Sequence, residues 1–407
     1  MSDLFRLATV DIRPLRHRDF RLLFWGQLIS TLGSQITYVA VPYQVYELTR
    51  SPLLVGLLGI VELVPVLALS MVGGLIADHG DRRTVVLSTE FFFAVLSSLL
   101  LLNALQPEPQ LWAIYTIAGA QAGLFALQRP ALDALTPRLV QREEFTAAGA
   151  LVALRGTVGM LLGPAVGGTL IVTIGLPATF GADVGSFVFS LVALGLMRAA
   201  PPALDAERPS LRGVLEGWRF ARERKELLGT YIVDIVAMFF GMPQALFPAI
   251  AEGMGGPTVL GLLYSAPALG ALLASATSGW TNHVRRHGLA VVIAASVWGL
   301  AIVGFGFSST VWLALPMLAL AGAADAVSGI FRMSIWNRAV PDELRGRLAS
   351  IEMVSYMSGP ALGNSEAGLA AALFGVPFAV VSGGALCIVG CLACGVLLRD
   401  FRRWEAT

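Results

Sequence analysis

The chain has 407 residues, of which 56% are hydrophobic and only 14% charged, against roughly 25% charged in a soluble globular protein. That much apolar surface calls for lipid as the solvent, which argues against a soluble enzyme or a disordered chain. A net charge of +1 leaves no basic field to attract nucleic acid.

In chain order, twelve stretches of about 20 apolar residues read as transmembrane helices. The first half gives Leu22–Tyr46, Leu53–Ala77, Thr84–Leu105, Leu111–Gln128, Thr146–Val172 and Pro177–Met197. The second gives Leu227–Ile250, Thr258–Thr281, Leu289–Ser308, Val311–Phe331, Leu348–Phe374 and Val376–Leu398. Between the halves lies the longest hydrophilic stretch. There Leu211, Val214, Leu215 and Trp218 recur at helical spacing, with Arg212, Glu216 and Arg219 between them. This pattern predicts an amphipathic helix at the membrane surface. The fold expected is an all-α polytopic membrane protein of twelve transmembrane helices. Two pseudo-symmetric six-helix bundles, 1–200 and 227–407, flank a cytoplasmic linker, 201–226.

Charge sets the orientation. With the N-terminus in the cytoplasm, all but two of the 28 Lys and Arg residues fall in cytoplasmic segments. Arg50 falls outside and Arg155 within a span. The positive-inside rule then places both termini in the cytoplasm, and the location expected is the cell (inner) membrane. The stretch before the first span is polar up to Arg21, and no cleavable signal peptide is expected. The halves also look alike. Ser51-Pro52-Leu53-Leu54-Val55-Gly56 pairs with Gly256-Pro257-Thr258-Val259-Leu260-Gly261, and Gly163-Pro164-Ala165-Val166-Gly167 with Gly359-Pro360-Ala361-Leu362-Gly363. Such matches suggest a duplicated unit.

Soluble chemistries find no support. The single lysine, Lys225, follows no glycine-rich loop, so a P-loop ATPase is excluded. The four histidines sit in charged loops, and neither H-E-x-x-H nor G-x-S-x-G occurs. Cys387, Cys391 and Cys394 share one helix face inside an apolar run and read as small buried hydrophobes. No metal, no other cofactor and no enzymatic activity is expected.

The loop after the second span reads Gly74-Leu75-Ile76-Ala77-Asp78-His79-Gly80-Asp81-Arg82-Arg83. It resembles the motif G-x-L-A-D-R-x-G-R-R of the major facilitator superfamily, with His79 in place of Arg and Asp81 in place of Gly. A carboxylate and two guanidinium groups at one helix end can form a charge cluster that one conformation keeps and another breaks. Gly74, Asp78, Arg82 and Arg83 are therefore candidates for a conformational switch. The fifth span carries Gly159-Met160-Leu161-Leu162-Gly163-Pro164-Ala165-Val166-Gly167-Gly168. This is similar to the G-x-x-x-G-P-x-x-G-G motif of drug and metabolite antiporters. Gly159, Gly163, Gly167 and Gly168 form a smooth face for close helix contact, and Pro164 permits a bend. Within the superfamily the chain is most similar to the enterobactin-exporter-like branch, on the stretches Leu102–Pro109, Ala131–Pro137 and Pro341–Arg347. The resemblance covers essentially the whole chain and implies export.

Ionisable groups inside a span cost at least about 2.5–3.5 kcal/mol and so are functional candidates. Glu62, Arg155, Asp234 and Asp325 are the candidates for proton coupling, and Arg155 is expected to hold a carboxylate. In this superfamily the spans carrying Asp234 and Asp325 line the central cavity. Asp183 reads as structural, and Glu90 and Glu352 lie where a local Arg could satisfy them. Gln35, Tyr38, Gln121 and Gln244 are candidates for the substrate cavity; amides and aromatics suit a bulky, partly apolar ligand.

The function expected is secondary active export of a small organic molecule, a siderophore-like metabolite or a drug, by proton antiport with alternating access. The partners expected are that substrate, protons and the lipid bilayer, with no nucleic acid, and the protein is read as a monomer. A proton-coupled importer of a small nutrient is the alternative. A non-transporting membrane sensor ranks lower, because no loop is long enough for an effector domain.

Overall fold

The computed structural model describes residues 11–79, 81–198, 219–220, 222–341 and 344–405; for 71–79, 345–347, 349–351 and 353–354 only the backbone is described. These residues are helical almost throughout. The helices are α1 (Arg18–Thr49), α2 (Pro52–His79), α3 (Arg82–Ala104), α4 (Leu111–Leu135), α5 (Phe145–Ile174), α6 (Leu176–Gly195) and α7 (Lys225–Phe240). They continue with α8 (Phe247–Glu252), α9 (Pro257–Ala276), α10 (His287–Gly306), α11 (Val311–Ala339), α12 (Arg345–Phe374), α13 (Val376–Leu397) and α14 (Arg399–Arg402). Among the described residues, nine helical segments are long and apolar enough to cross a membrane. The chain is a multi-pass membrane protein. Most of the amphipathic linker expected at 201–226 lies outside the described residues.

Local chemistry sets the helix ends. Asp81 caps α3, its carboxylate accepting from the Arg83 backbone N–H. Two corners are built alike. A 30-residue helix, α5 or α12, stops at Gly175 or Gly375, and the next helix opens with Pro177 or Pro377. Both glycines have a positive φ, 83° and 88°, a conformation that ends a helix at little cost only for glycine. The proline then sits where a helix needs no backbone donor.

The described residues fall into two compact units, one drawn from Met1–Ala40 and Pro65–Arg208, the other from Val41–Val64 and Pro209–Thr407. In the first, α3 packs on α4 and α6. Phe93 and Phe187 stack with ring centroids 5.3 Å apart, and Leu23, Val86, Leu135 and Leu194 share one apolar cluster. In the second, α11 packs on α9 and α10, while α12 and α13 pack on α7. Gly270 of α9 meets the Ala319 carbonyl, and Gly322 of α11 meets the Pro267 carbonyl, so closely that any Cβ would overlap them. These two glycines let α9 and α11 touch along their backbones.

Among the spans that differ from the sequence reading, two bear on the site. The seventh was expected to run unbroken from Leu227 to Ile250. Instead α7 stops at Phe240, a 3-10 turn covers Gln244–Leu246, and α8 begins at Phe247. Pro243 cannot donate to the helix ladder. The Ala245 N–H donates to Asn364 Oδ1 at 3.0 Å, and the Gly241 carbonyl, left without that helix partner, accepts from Trp298 Nε1 at 3.0 Å. The tenth span was expected to stop at Phe331; α11 continues to Ala339 and takes Arg332 into the helix.

Candidate functional site

The second unit holds a charge cluster built from α7 and α11. Asp325 and Arg332 lie seven residues apart on α11, about two helical turns, so both face the same way. Arg332 reaches back along its helix to Asp325, with Nη2 and Oδ1 3.3 Å apart. Its Nη1 forms an ion pair with Asp234 of α7. One guanidinium thus serves two carboxylates. A cavity of about 10 Å3 adjoins them, lined by Asp234, Met238, Trp298, Asp325 and Ser328 among others. That is room for about one water. Within the cluster, Arg332 Nε is buried with no partner among the described residues. Such a group costs free energy unless something satisfies it.

Sequence reasoning singled out Asp234 and Asp325 but placed Arg332 in a cytoplasmic loop. The apolar window ends at Phe331, and the positive-inside tally absorbed the next arginine. The missed signal was spacing, since Asp325 and Arg332 fall on one helix face.

The other two coupling candidates, Glu62 and Arg155, are half-buried. Neither makes an ion pair among the described residues. The carboxyls that act on Arg155 through space are Asp133 and Glu90.

In the first unit, Gln121 Nε2 donates to Ser97 Oγ at 3.1 Å, and Ser97 in turn donates to Asp183 at 2.7 Å. Glu90 differs from the sequence reading: among the described residues no arginine pairs with it. Its Oε1 accepts from Gln27 Nε2 at 2.7 Å and Gln128 Nε2 at 2.9 Å. Both amides come from helices far along the chain, which no local pattern discloses. Gln35 lies on α1 facing α5, and Tyr38 is 42% exposed. Gln244 sits in the turn that breaks the seventh span, its carbonyl accepting from Tyr264 Oη at 3.2 Å.

The glycine face of α5 lies against α1. A Cβ on Gly159 would come 2.6 Å from Thr31 Cγ2, one on Gly163 would overlap Gln35, and one on Gly167 would come 3.0 Å from Ile36 Cα. Pro164 and Gly168 are buried in the same helix.

Of the candidate switch loop, only the backbone of Gly74 and Asp78 is described, within α2. Arg82 donates to the Ala134 carbonyl at 2.9 Å. Arg83 donates to the carbonyls of Leu194 and Gly195 at 2.8 and 2.7 Å. The two arginines therefore cap the C-terminal ends of α4 and α6, where helix carbonyls lack partners.

A family model described as transmembrane secretion effector matches residues 9–406. The enterobactin exporter EntS of Shigella boydii serotype 4 (strain Sb227) is 35% identical over 401 residues, 96% of this chain and 94% of that protein. The enterobactin exporter EntS of Escherichia coli O139:H28 (strain E24377A / ETEC) is 34% identical over the same shares. Among solved structures, a bacterial homologue of the human lysosomal transporter Spinster matches with a TM-score of 0.77 at 13% identity, covering 98% of this chain and 100% of that one. A bacterial homologue of the iron transporter ferroportin matches with a TM-score of 0.69 at 16% identity, covering 95% and 98%. At such identities these two likenesses speak for the fold alone. The chain belongs to the transmembrane secretion effector family of the major facilitator superfamily, and it is a membrane transporter rather than an enzyme.

Proposed function

We propose that this protein exports a small organic molecule, a siderophore-like metabolite or a drug, in exchange for protons. In this reading twelve transmembrane helices form two six-helix halves that rock about a central site. The protein works as a monomer in the inner membrane with both termini in the cytoplasm. The twin corners at Gly175 and Gly375 support a duplicated unit. Export is supported by near full-length similarity to two enterobactin exporters and by the α5 glycine motif.

The observation that carries the coupling is Arg332 shared between Asp234 and Asp325. A carboxylate, a second carboxylate and one guanidinium leave a net negative charge in apolar surroundings, which favours binding of one proton. A proton on either aspartate leaves Arg332 paired with the other. Loss of that proton restores competition for the guanidinium. The cluster thus has two arrangements that differ by one proton, the minimum a coupled transporter needs. Glu62, Arg155, Gln35, Tyr38, Gln121 and Gln244 stand as secondary candidates for the proton and substrate paths, and the Gly74–Arg83 loop for the conformational switch.

The test is uptake into inside-out vesicles with an acid lumen, using a labelled catecholate siderophore and a set of hydrophobic drugs as probes. Uptake driven by the gradient, and lost in Asp234→Asn or Asp325→Asn at matched expression, is the expected result. Uptake that survives collapse of the gradient would overturn proton antiport.

A further inference from the structure

Among the described residues, the coupling cluster leaves two buried acids unused, and both are in the first unit. Glu90 of α3 and Asp183 of α6 are 1% and 0% exposed. Every group that hydrogen-bonds to them is neutral. Glu90 Oε1 accepts from Gln27 of α1 at 2.7 Å, Gln128 of α4 at 2.9 Å and, weakly, Ser30 of α1 at 3.5 Å. Asp183 Oδ2 accepts from Thr37 of α1 at 2.6 Å and Ser97 of α3 at 2.7 Å. Ser186 lies 3.4 Å from Asp183 Oδ1. A second observation is independent of these bonds: Glu90 Oε2 is buried with no partner among the described residues.

An ionised carboxylate here would face a large desolvation penalty with no cation against it. The charged groups that act on the pair are few. Glu90 and Asp183 act on each other, and Arg155 of α5 acts on Glu90 through space without forming an ion pair. Among the described residues no cation pairs with Asp183, and Glu90 of α3 is the charged group that acts on it. A neutral acid is different. On Glu90 the proton can sit on the partnerless Oε2 while Oε1 keeps its amide and hydroxyl donors.

We infer that Glu90 and Asp183 form a proton-binding site distinct from the Asp234–Arg332–Asp325 cluster, loaded with two protons in the arrangement described and tied to the seating of α1. Helix α1 supplies a donor to each acid, Gln27 and Ser30 to one and Thr37 to the other. Between them Gly33 lies so close to Asp183 and Ser186 that a Cβ would overlap Ser186 Oγ. The same helix then leaves the first unit at Ala40 and enters the second at Val41, with Pro42 next in the helix. Loss of the protons would put two negative charges against the one face of α1 that both acids hold. Proton release to water and movement of α1 are therefore one event.

Infrared spectroscopy of the full chain in phosphatidylethanolamine–phosphatidylglycerol vesicles tests this without a transport substrate. Working in an Asp234→Asn/Asp325→Asn background removes the other cluster and separates the two proposals. The expected result is a carboxylic-acid C=O band with one component lost in Glu90→Gln and another in Asp183→Asn, both fading reversibly as pH rises. Ser97→Ala removes a donor and no carboxyl, and is expected to displace the Asp183 component along the pH axis. It also keeps the test alive if an amide variant fails to fold. Absence of these components at every pH would overturn the inference. So would components that persist unchanged until the helices melt, the behaviour of a locked structural acid.

Discussion

The guanidinium of Arg332 lies against the carboxylate of Asp234 with only 18% and 8% of the two side chains exposed. A guanidinium is effectively always charged in proteins, so the groups open to proton exchange at this cluster are the two aspartates. Removing the cation strands a buried carboxylate, which typically costs about 3–5 kcal/mol. Arg332→Gln is therefore expected to lower the melting temperature of the purified protein markedly. Adding Asp234→Asn to that variant is expected to recover a large part of the loss. A double-mutant cycle read by thermal unfolding in detergent measures both. Equal losses that simply add would show that the two residues act independently.

The α1–α5 contact gives a prediction with an internal control. Gly163 faces Gln35 so closely that a side chain overlaps it, whereas a Cβ on Gly149 of the same helix meets nothing within 4 Å. Gly163→Val is expected to destabilise by about 1–3 kcal/mol through overpacking. Gly149→Ala is expected to be neutral or to stabilise by up to about 1 kcal/mol through helix propensity. Melting temperatures of the two variants, compared with the parent chain, check the contrast.

Arg50 is the one non-glycine residue with a positive φ among the described residues, at 53°. It pairs with Glu252, and the two side chains are 51% and 54% exposed. An exposed pair of this kind contributes about 0.2–1 kcal/mol, while a left-handed residue with a side chain costs about 1–2 kcal/mol. The backbone term is the larger. Arg50→Gly is thus expected to be more stable than Arg50→Ala by about 1 kcal/mol, although both lose the pair. Chemical denaturation of the two variants decides it, and the reverse order would contradict the account.

Arg83 belongs to the candidate switch motif, yet it has a local task that needs no partner acid. It donates to two carbonyls at the end of α6. Arg83→Lys keeps the charge but loses the two-pronged geometry. It is expected to lose about 1 kcal/mol of stability and to speed hydrogen exchange in the last turn of α6, around Leu194 and Gly195. Unchanged exchange there would leave the cap without a role.

The apolar spans and the α5 glycine face were legible in the sequence, because lipid demands runs of fixed length and helix contact demands small residues at a fixed spacing. The break after Phe240 was also written there, in Gly241 and Pro243, but a hydropathy window averages across it. Arg332 was hidden by a sound rule used at its margin, since an arginine just past an apolar window usually belongs to the cytoplasmic loop. The donors of Glu90 and Asp183 could not be read at all. Gln27 and Thr37 come from α1, Ser97 from α3 and Gln128 from α4, and only packing brings them to the two carboxyls. Asp81 marks the opposite case: its departure from the family motif is explained by the cap it gives α3.

Asp234 and Asp325 are proposed to carry the coupling proton. Proton release from the acid lumen of inside-out vesicles, on adding a catecholate siderophore or a hydrophobic drug, tests it most directly. The account predicts release with the wild-type chain and none with Asp234→Asn or Asp325→Asn, while both variants still exchange labelled ligand down its gradient. Ligand-dependent proton release that persists in both variants, or ligand flux in the wild type with no proton movement, would contradict it.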